Sequence, residues 1–358
     1  MSCPRPSHIL AVALLICACS RDGRDAKAHA PSPSPTAPKE THVLEVKSSA
    51  DLENLGKQYL ERAEAGFTGV LEVHVAPGTY EDTRWAMAPT GKGAPPPIDL
   101  VLEGAGAAIP GPSQLGGRSI RIEGLVLTSQ QFAPIVIEAT QSVTISKCAF
   151  IDGRMTNSQM VRPYLELRAH GAGTTKSPVT AQIDGTWFVR NFQAAEHSSL
   201  LAFTIDENEP GYFGAIAIRD SAFLGNAFSS DIAISYAKAA TIERTIFYKT
   251  WPSGVFLRCK TAGAVAVKDS VLVAEELGHV AELSECPPIE LTNTKIYTRN
   301  FTPAAPTPPA LHVDRAALSD RTLLGDTSAL DKAIAMPVAM PQDALRAALD
   351  QALHLRQP

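Results

Sequence analysis

Apolar and polar residues alternate in a pattern that returns about every 24 residues through the middle of the chain. Each copy reads apolar, polar, any residue, small, any residue, large apolar. Because these segments follow a two-residue alternation and no helical period, each copy predicts a β-strand. A period of this length is typical of stacked units that bury their apolar faces against one another. The first apolar residue of each copy, here called the pivot, is Ile122, Ile145, Ile183, Ile218, Ile242, Val267 or Leu291.

The positions that follow each pivot are also regular. Three residues after the pivot stands Cys, Thr or Ser in six of the seven copies, which suits a tight corner. Five residues after the pivot stands a large apolar residue, and these residues predict one internal stack: Leu127, Phe150, Phe188, Phe223, Phe247, Leu272 and Ile296. A second short strand follows in each repeat, with the clearest copies at 135–138, 165–168, 203–206, 232–235 and 255–258.

Two or three short strands per repeat predict an all-β fold, a right-handed parallel β-helix, because a β-propeller needs roughly 40 to 50 residues per repeat. The chain resembles the pectin-lyase-like β-helix superfamily at Val73-His-Val-Ala-Pro-Gly-Thr-Tyr80, Phe188-Val-Arg-Asn191 and Phe223-Leu-Gly-Asn226. The resemblance implies that the first segment opens the solenoid and that each Asn lines a turn. It covers about residues 68–300 and implies a fold, whereas that fold carries many chemistries.

Residues 1–18 predict a lipoprotein signal peptide. The apolar run from Ile9 to Ala18 follows Arg5 and is too short to span a bilayer. It ends in Leu15-Ile-Cys-Ala-Cys19, which resembles a bacterial lipobox with Cys19 as the residue that carries the acyl chains, such as palmitate; ordinary secretory cleavage near Ala18 is the alternative. Ser20 follows, and by the same resemblance the protein is anchored to the outer membrane, on its periplasmic face or at the cell surface.

The rest of the chain divides into a tether, a solenoid and its ends. Residues 19–41 are rich in Pro, Ser and Ala and predict an extended tether. Residues 42–300 form the predicted β-helix, with a helical cap at about 49–64 that begins near Ser49 as N-cap. Residues 301–358 predict a Pro-rich segment and a C-terminal cap helix around Asp343–Leu355, whose apolar face could cover the last coil with Leu345, Ala348, Leu349 and Leu353.

Composition limits the partners. The chain is 45% apolar and 19% charged with a formal net charge of −5, and it has no basic run that would follow phosphates, so nucleic acid is not expected. We expect no cofactor and no metal, since no Cys/His set has zinc spacing. Cys259 and Cys286 lie one repeat apart near the ends of successive second strands, which predicts a disulfide bond in an oxidising compartment. Cys148 occupies a corner position and is expected to be a buried thiol.

Two repeats carry longer connections than the others. In the second and third repeats, the turns on both sides of the strands at 165–168 and 203–206 are longer by several residues than in the other repeats. Long loops on a regular scaffold are where binding residues collect. Walls on both sides of two exposed strands predict a groove.

Side chains alternate along a strand, so one outward column of this groove is predicted to contain Glu138, Arg168, Asp206, Ser235 and Arg258. A second outward column includes Glu166 and Thr204. Arg168 would be a cation for a uronate or the base of a lyase, with Glu166 and Asp206 as acids or calcium ligands. The alternative interpretation is an ion-pair ladder without catalytic function, in which each exposed pair contributes about 0–1 kcal/mol.

Two functional hypotheses follow from this groove. The first is an envelope module without catalytic activity, structural or binding a polysaccharide or an envelope protein in the groove lined by Glu138, Thr204, Ser235 and Arg258. The second is a polysaccharide lyase or hydrolase for acidic polymers that uses Glu166, Arg168 and Asp206. Calcium is expected only for the lyase. Both hypotheses place the protein at the membrane through its lipid anchor.

Overall fold

The computed structural model describes residues 39–89, 93–128, 134–155, 162–171, 178–193, 198–205, 211–249, 255–277, 281–301 and 318–320. Within these ranges the chain is all-β, with one helix, and every pair of neighbouring strands is parallel. The predicted signal peptide, Cys19, most of the tether and the predicted C-terminal helix lie outside the described residues. The helix is α1 (Ser49–Glu64).

The strands form a sheet of fourteen, a sheet of nine and a pair. The sheet of fourteen contains β1 (Thr41–Val46), β2 (Val70–Val75), β3 (Ala86–Met87), β4 (Asp99–Gly104), β6 (Gln114–Glu123), β8 (Ile135–Ser146), β11 (Leu165–Ala169), β12 (Val179–Asp184), β15 (Ser199–Ile205), β16 (Phe213–Arg219), β18 (Ser230–Glu243), β20 (Val255–Lys268), β22 (Ala281–Ser284) and β23 (Glu290–Thr292). The sheet of nine contains β5 (Ala108–Pro110), β7 (Val126–Thr128), β9 (Ala149–Ile151), β13 (Trp187–Val189), β17 (Ala222–Leu224), β19 (Ile246–Lys249), β21 (Val271–Leu277), β24 (Lys295–Phe301) and β25 (Leu318–Asp320). The pair is β10 (Arg154–Met155) with β14 (Phe192–Gln193).

The pivots lie side by side in the sheet of fourteen. Ile122 pairs with Ile145 and Ile145 with Ile183, and the alignment continues strand by strand to Leu291. The stack residues align in the same way in the sheet of nine, from Leu127 to Ile296. The predicted register of both positions is therefore confirmed through all seven repeats.

The stack residues form the centre of the core. The rings of Phe150, Phe188, Phe223 and Phe247 lie nearly parallel, with neighbouring centroids 4.9, 4.7 and 4.8 Å apart. All four side chains are buried. Identical side chains at one position of successive repeats thus stack on one another across the sheet of nine. Aromatic pairs of this kind contribute about 0.5–1.5 kcal/mol beyond the area that they bury.

Small polar residues close the corner between pivot and stack. The hydroxyl of Ser221 donates to the Arg219 carbonyl at 2.7 Å and accepts from the Thr186 backbone N–H at 3.3 Å. Thr245 and Ser270 repeat the arrangement two repeats further on, where the Thr245 N–H donates to the Ser270 hydroxyl at 3.1 Å. Buried backbone groups must be paired, so a small hydroxyl residue at this position satisfies the groups that the corner leaves out of the sheets.

Asparagine side chains line a second corner, as the resemblance implied. Asn191 donates from Nδ2 to the Phe150 carbonyl at 3.0 Å, and its Oδ1 accepts from the Gly153 N–H at 2.8 Å. Asn226 makes the equivalent bond to the Phe188 carbonyl at 2.8 Å, and both amides are fully buried.

Helix α1 packs against the first strands, β1 and β3. Leu52, Leu55 and Tyr59 are buried, and the Tyr59 hydroxyl donates to the Gly116 carbonyl at 2.7 Å. The predicted cap at 49–64 is confirmed as a helix, but its N-cap is Ser48 and not Ser49. Ser48 has extended backbone and its hydroxyl accepts from the Asp51 N–H, whereas Ser49 already has helical geometry.

Candidate functional site

The groove predicted in the second and third repeats would lie on strands β11 and β15. In the neighbouring repeats, one long strand runs from the second strand into the next pivot strand, as in β8, β18 and β20. In these two repeats, the second strand and the next pivot strand are separate elements, β11 and β12 in one and β15 and β16 in the other. Residues 172–177 and 206–210, which lie between them in sequence, are outside the described residues. The extra sequence is therefore inserted between strands whose pairing it leaves intact.

Alternation along β11 sends two charged side chains outward. Leu165, Leu167 and Ala169 are buried in the core, so Glu166 and Arg168 lie on the opposite face of the strand. Arg168 holds Glu166 with two parallel bonds, from Nε to Oε1 and from Nη2 to Oε2, both 2.9 Å long. This two-pronged geometry is the strongest that an arginine forms with a carboxylate.

The guanidinium of Arg168 also bridges to the neighbouring strand. Its Nη1 donates to Glu138 Oε1 at 2.8 Å. The side chain of Arg168 is 24% exposed, whereas those of Glu138 and Glu166 are 9% and 10% exposed. The Arg168 cluster (Glu138, Glu166 and Arg168) is thus a nearly desolvated ion-pair network with a formal charge of −1.

Polar neighbours extend the Arg168 cluster across four strands. Gln114 on β6 donates from Nε2 to Glu138 Oε2 at 3.1 Å, and Thr204 on β15 donates from Oγ1 to Glu166 Oε1 at 2.8 Å. Buried carboxylates need such donors, because an unpaired charge in this environment is costly. The result is a continuous ladder from Gln114 to Thr204.

The cluster holds Arg168 in its charged form. Burial acts to lower the pKa of Arg168, but the hydrogen bonds and negative charges of Glu166 and Glu138 outweigh it and raise that pKa above its ordinary value. A general base must give up its proton near neutral pH. Arg168 in this environment keeps its proton, so it is unsuited to act as a general base.

The predicted outward column is wrong at Asp206 and at Arg258. Arg168 pairs with Thr204 and not with Asp206, because Leu165 aligns with Leu201 instead of Phe203. Asp206 itself lies outside the described residues. The predicted and observed registers of β15 against β11 differ by two residues. A shift of two keeps each side chain on the same face of the sheet but changes the residue beside it.

The same displacement recurs at Arg258. Ala233 pairs with Arg258, and Ser235 pairs with Lys260. Arg258 therefore belongs to the column of Glu166, and it binds Glu282 on the next strand at 2.6 Å. Of the predicted groove residues, Glu138, Arg168, Glu166 and Thr204 are in contact, whereas Ser235 and Arg258 belong to two separate columns.

The cysteines are placed as predicted. Cys259 and Cys286 form a disulfide bond. Cys148 is a free, buried thiol at a corner position, where burial raises its pKa to about 12. Within the described part of the chain, no three His, Cys, Asp or Glu side chains are grouped closely enough to hold a metal ion.

The buried ion pair between Lys249 and Asp231 was not predicted from the sequence. Lys249 Nζ lies 2.9 Å from Asp231 Oδ2, and both side chains are only 2% exposed. Lys249 stands two residues after the stack residue Phe247, so alternation places it on the inward face of β19. A lysine at an inward position is the signal that would have predicted a buried carboxylate beside it, since such charges require a partner.

Comparison of the chain with protein-family models, curated proteins and solved structures gives no match. Among the described residues, no helix has both the length and the apolar character needed to cross a bilayer.

Proposed function

We propose that this protein is a lipid-anchored outer-membrane protein whose right-handed parallel β-helix binds a glycan in the groove of the second and third repeats and does not cleave it. The observation that carries this proposal is the position of Arg168, which is fixed by three hydrogen bonds to two carboxylates. The lyase hypothesis needs Arg168 as a base or as a cation for the substrate. Both roles require a guanidinium that is less strongly bound than this one.

Two further features support the β-helix and its anchor. Parallel, in-register pairing from Ile122 to Leu291 fits a coil that rises by one strand spacing per repeat. The anchor rests on the lipobox-like segment that ends at Cys19. Acyl chains contribute about 0.8 kcal/mol for each buried CH₂ group, so two or more of them hold a folded domain at the membrane.

The charge of the floor favours a neutral glycan over a uronate polymer. The Arg168 cluster has a formal charge of −1, and the charge of Arg258 is already balanced by Glu282. An acidic chain would meet uncompensated negative charge there. Like charges in a partly desolvated groove repel strongly, so its binding would be disfavoured. Thr204 and Ser235, both partly buried on the outer face, offer hydroxyl groups that suit the hydroxyls of a neutral sugar.

The experiment is a binding and turnover assay on a panel of neutral and acidic polysaccharides, with and without calcium. We expect calorimetric binding of a neutral polymer, no new reducing ends and no unsaturated product. Ser235→Trp places an indole on the outer face of β18 and should abolish binding by filling the groove. The matched control is Thr241→Trp, on the outer face of the same strand beyond the bend at Tyr236, where the backbone φ is 55°.

Cleavage of any polymer would refute the proposal and support the lyase or hydrolase. Equal affinities of the two tryptophan variants would place the binding site elsewhere and refute the groove. No binding to any polymer, with the fold verified by circular dichroism, would favour a structural module or a protein partner in the envelope.

A further inference from the structure

The sheet of nine has an apolar face on its outside as well as toward the core. Its stack residues point inward, so the residues immediately before and after them point outward. These outward residues are nearly all apolar and form a second hydrophobic cluster, here called the outer wall: Ala108, Val126, Ile151, Trp187, Val189, Ala222, Leu224, Ile246, Tyr248, Val271 and Val273.

The outer wall is covered. Each of its residues is at most 7% exposed, and Trp187 at the centre is 1% exposed. Side chains on the outside of a sheet reach such values only when another segment packs over them. The indole Nε1 of Trp187 is buried and has no hydrogen-bond partner within the described part of the chain. The layer above Trp187 is therefore apolar where it meets the ring.

Apolar side chains of other described elements do not supply this layer. Apart from the wall itself, Ala149 is the partly buried apolar residue in the described ranges that packs against it, and Ala149 belongs to the same sheet. The chain leaves the described region from this sheet, because β25 pairs with β24 at its end. Residues 321–358 follow directly after Asp320.

We propose that the outer wall is the docking surface of the C-terminal segment, residues 321–358. The predicted amphipathic helix of this segment offers the apolar stripe that such a wall requires, with Leu345 and Leu349 one turn apart. A helix over Asp343–Leu355 would be about 20 Å long. The wall extends over seven strands from β5 to β21, or about 29 Å, so the helix would cover most of it.

This assignment differs from the cap predicted for the same segment. The last repeats enclose a small apolar pocket on the core side of the sheets, lined by residues such as Phe256, Leu257 and Ile289. Trp187 lies on the other side of the sheet of nine, in the outer wall. A probe placed on the outer wall therefore shows whether residues 321–358 bind there or at the end of the last repeat.

The first experiment is photo-crosslinking in the full chain. Tyr248, which is 3% exposed on the wall, is replaced by benzoylphenylalanine, and the crosslinked peptides are identified by mass spectrometry. We expect crosslinks to residues 321–358. Crosslinks to any other segment, or to a second copy of the chain, would overturn the proposal.

The second experiment measures how well acrylamide quenches Trp187 fluorescence, in full-length protein with Trp85→Phe and Trp251→Phe. Leu345→Asp combined with Leu349→Asp should release the segment, shift the Trp187 emission to the red and raise its quenching. The matched control is Ala347→Asp with Gln351→Asp, which adds the same charges to the opposite face of the predicted helix and should leave Trp187 protected. Unchanged quenching in the leucine variant, with circular dichroism unchanged, would refute the proposal.

Discussion

Arg168→Met is the sharpest test of the Arg168 cluster. Methionine keeps much of the length of the arginine stem but removes its charge and all three hydrogen bonds to Glu138 and Glu166. Both carboxylates, at 9% and 10% exposure, then stay buried without a cation. Removal of one partner from a buried ion pair destabilises a protein by about 3–5 kcal/mol. We expect a loss of this size in the free energy of unfolding.

A control with the same substitution lies in the same sheet. Arg258 is 20% exposed and pairs with Glu282, which is 50% exposed, so Arg258→Met leaves a carboxylate that water can solvate. Pairs of this kind contribute about 0–1 kcal/mol. Because both variants replace arginine by methionine, a difference in their stability reports how deeply the partner carboxylates are buried.

The assay is urea unfolding followed by far-ultraviolet circular dichroism. A lower midpoint with an unchanged slope reports a loss of stability, whereas a changed slope indicates that the repeats no longer unfold together. Adding Glu138→Gln to Arg168→Met should recover part of the loss, because it removes one of the two uncompensated charges. If Arg168→Met costs no more than Arg258→Met, the reasoning about the cluster is refuted.

Three further predictions concern buried groups elsewhere. Cys286→Ser removes a disulfide that links residues 27 apart and should cost about 3.5 kcal/mol in urea unfolding; an equally stable variant would contradict this. Cys148, with its pKa raised by burial to about 12, should resist iodoacetamide at pH 8 until urea is added, and labelling of the folded protein would argue against its burial. Lys249→Met leaves Asp231 buried without its cation and should cost about 3–5 kcal/mol at pH 7. Burial raises the pKa of Asp231 in the folded state, so ionisation destabilises the fold as pH rises through that pKa, and the urea midpoint of this variant should increase toward acid pH; a midpoint independent of pH would contradict the assignment.

The pivots and the stack could be predicted because a constant offset links them. The corner between Ile218 and Phe223 has the same length in every repeat, so an apolar residue at either position fixes the other. Alternation then determines which side chains face the core. Both the faces and the neighbours of these residues were correct for this reason.

The register of the second strands could not be fixed in the same way. Leu201 and Phe203 are both apolar and both point inward, so either aligns acceptably with Leu165. The loops before them vary in length and give no offset to count. The predicted faces of these side chains were therefore correct, but their predicted neighbours were displaced by two residues. Thr204, and not Asp206, lies beside Arg168.

The sequence also contained a signal for the outer wall, but a search for alternating apolar residues considers only one face of each strand. Trp187-Phe-Val189 and Ile246-Phe-Tyr248 are continuous apolar runs, and such runs are typical of strands that are covered on both sides. The pattern that identified the inward stack treated the residues on either side of it as unconstrained.

Insertions of different length leave the parallel stacking unchanged, and this makes the loops exchangeable. Pivots 38 and 35 residues apart pair as closely as pivots 24 apart, since Ile145, Ile183 and Ile218 remain in register. Each loop thus starts and ends at sites whose spacing the neighbouring strands set, at about 4.8 Å per repeat. Sequence can change between these fixed ends without altering the pairing, so the connections of the second and third repeats can be exchanged while the core stays the same.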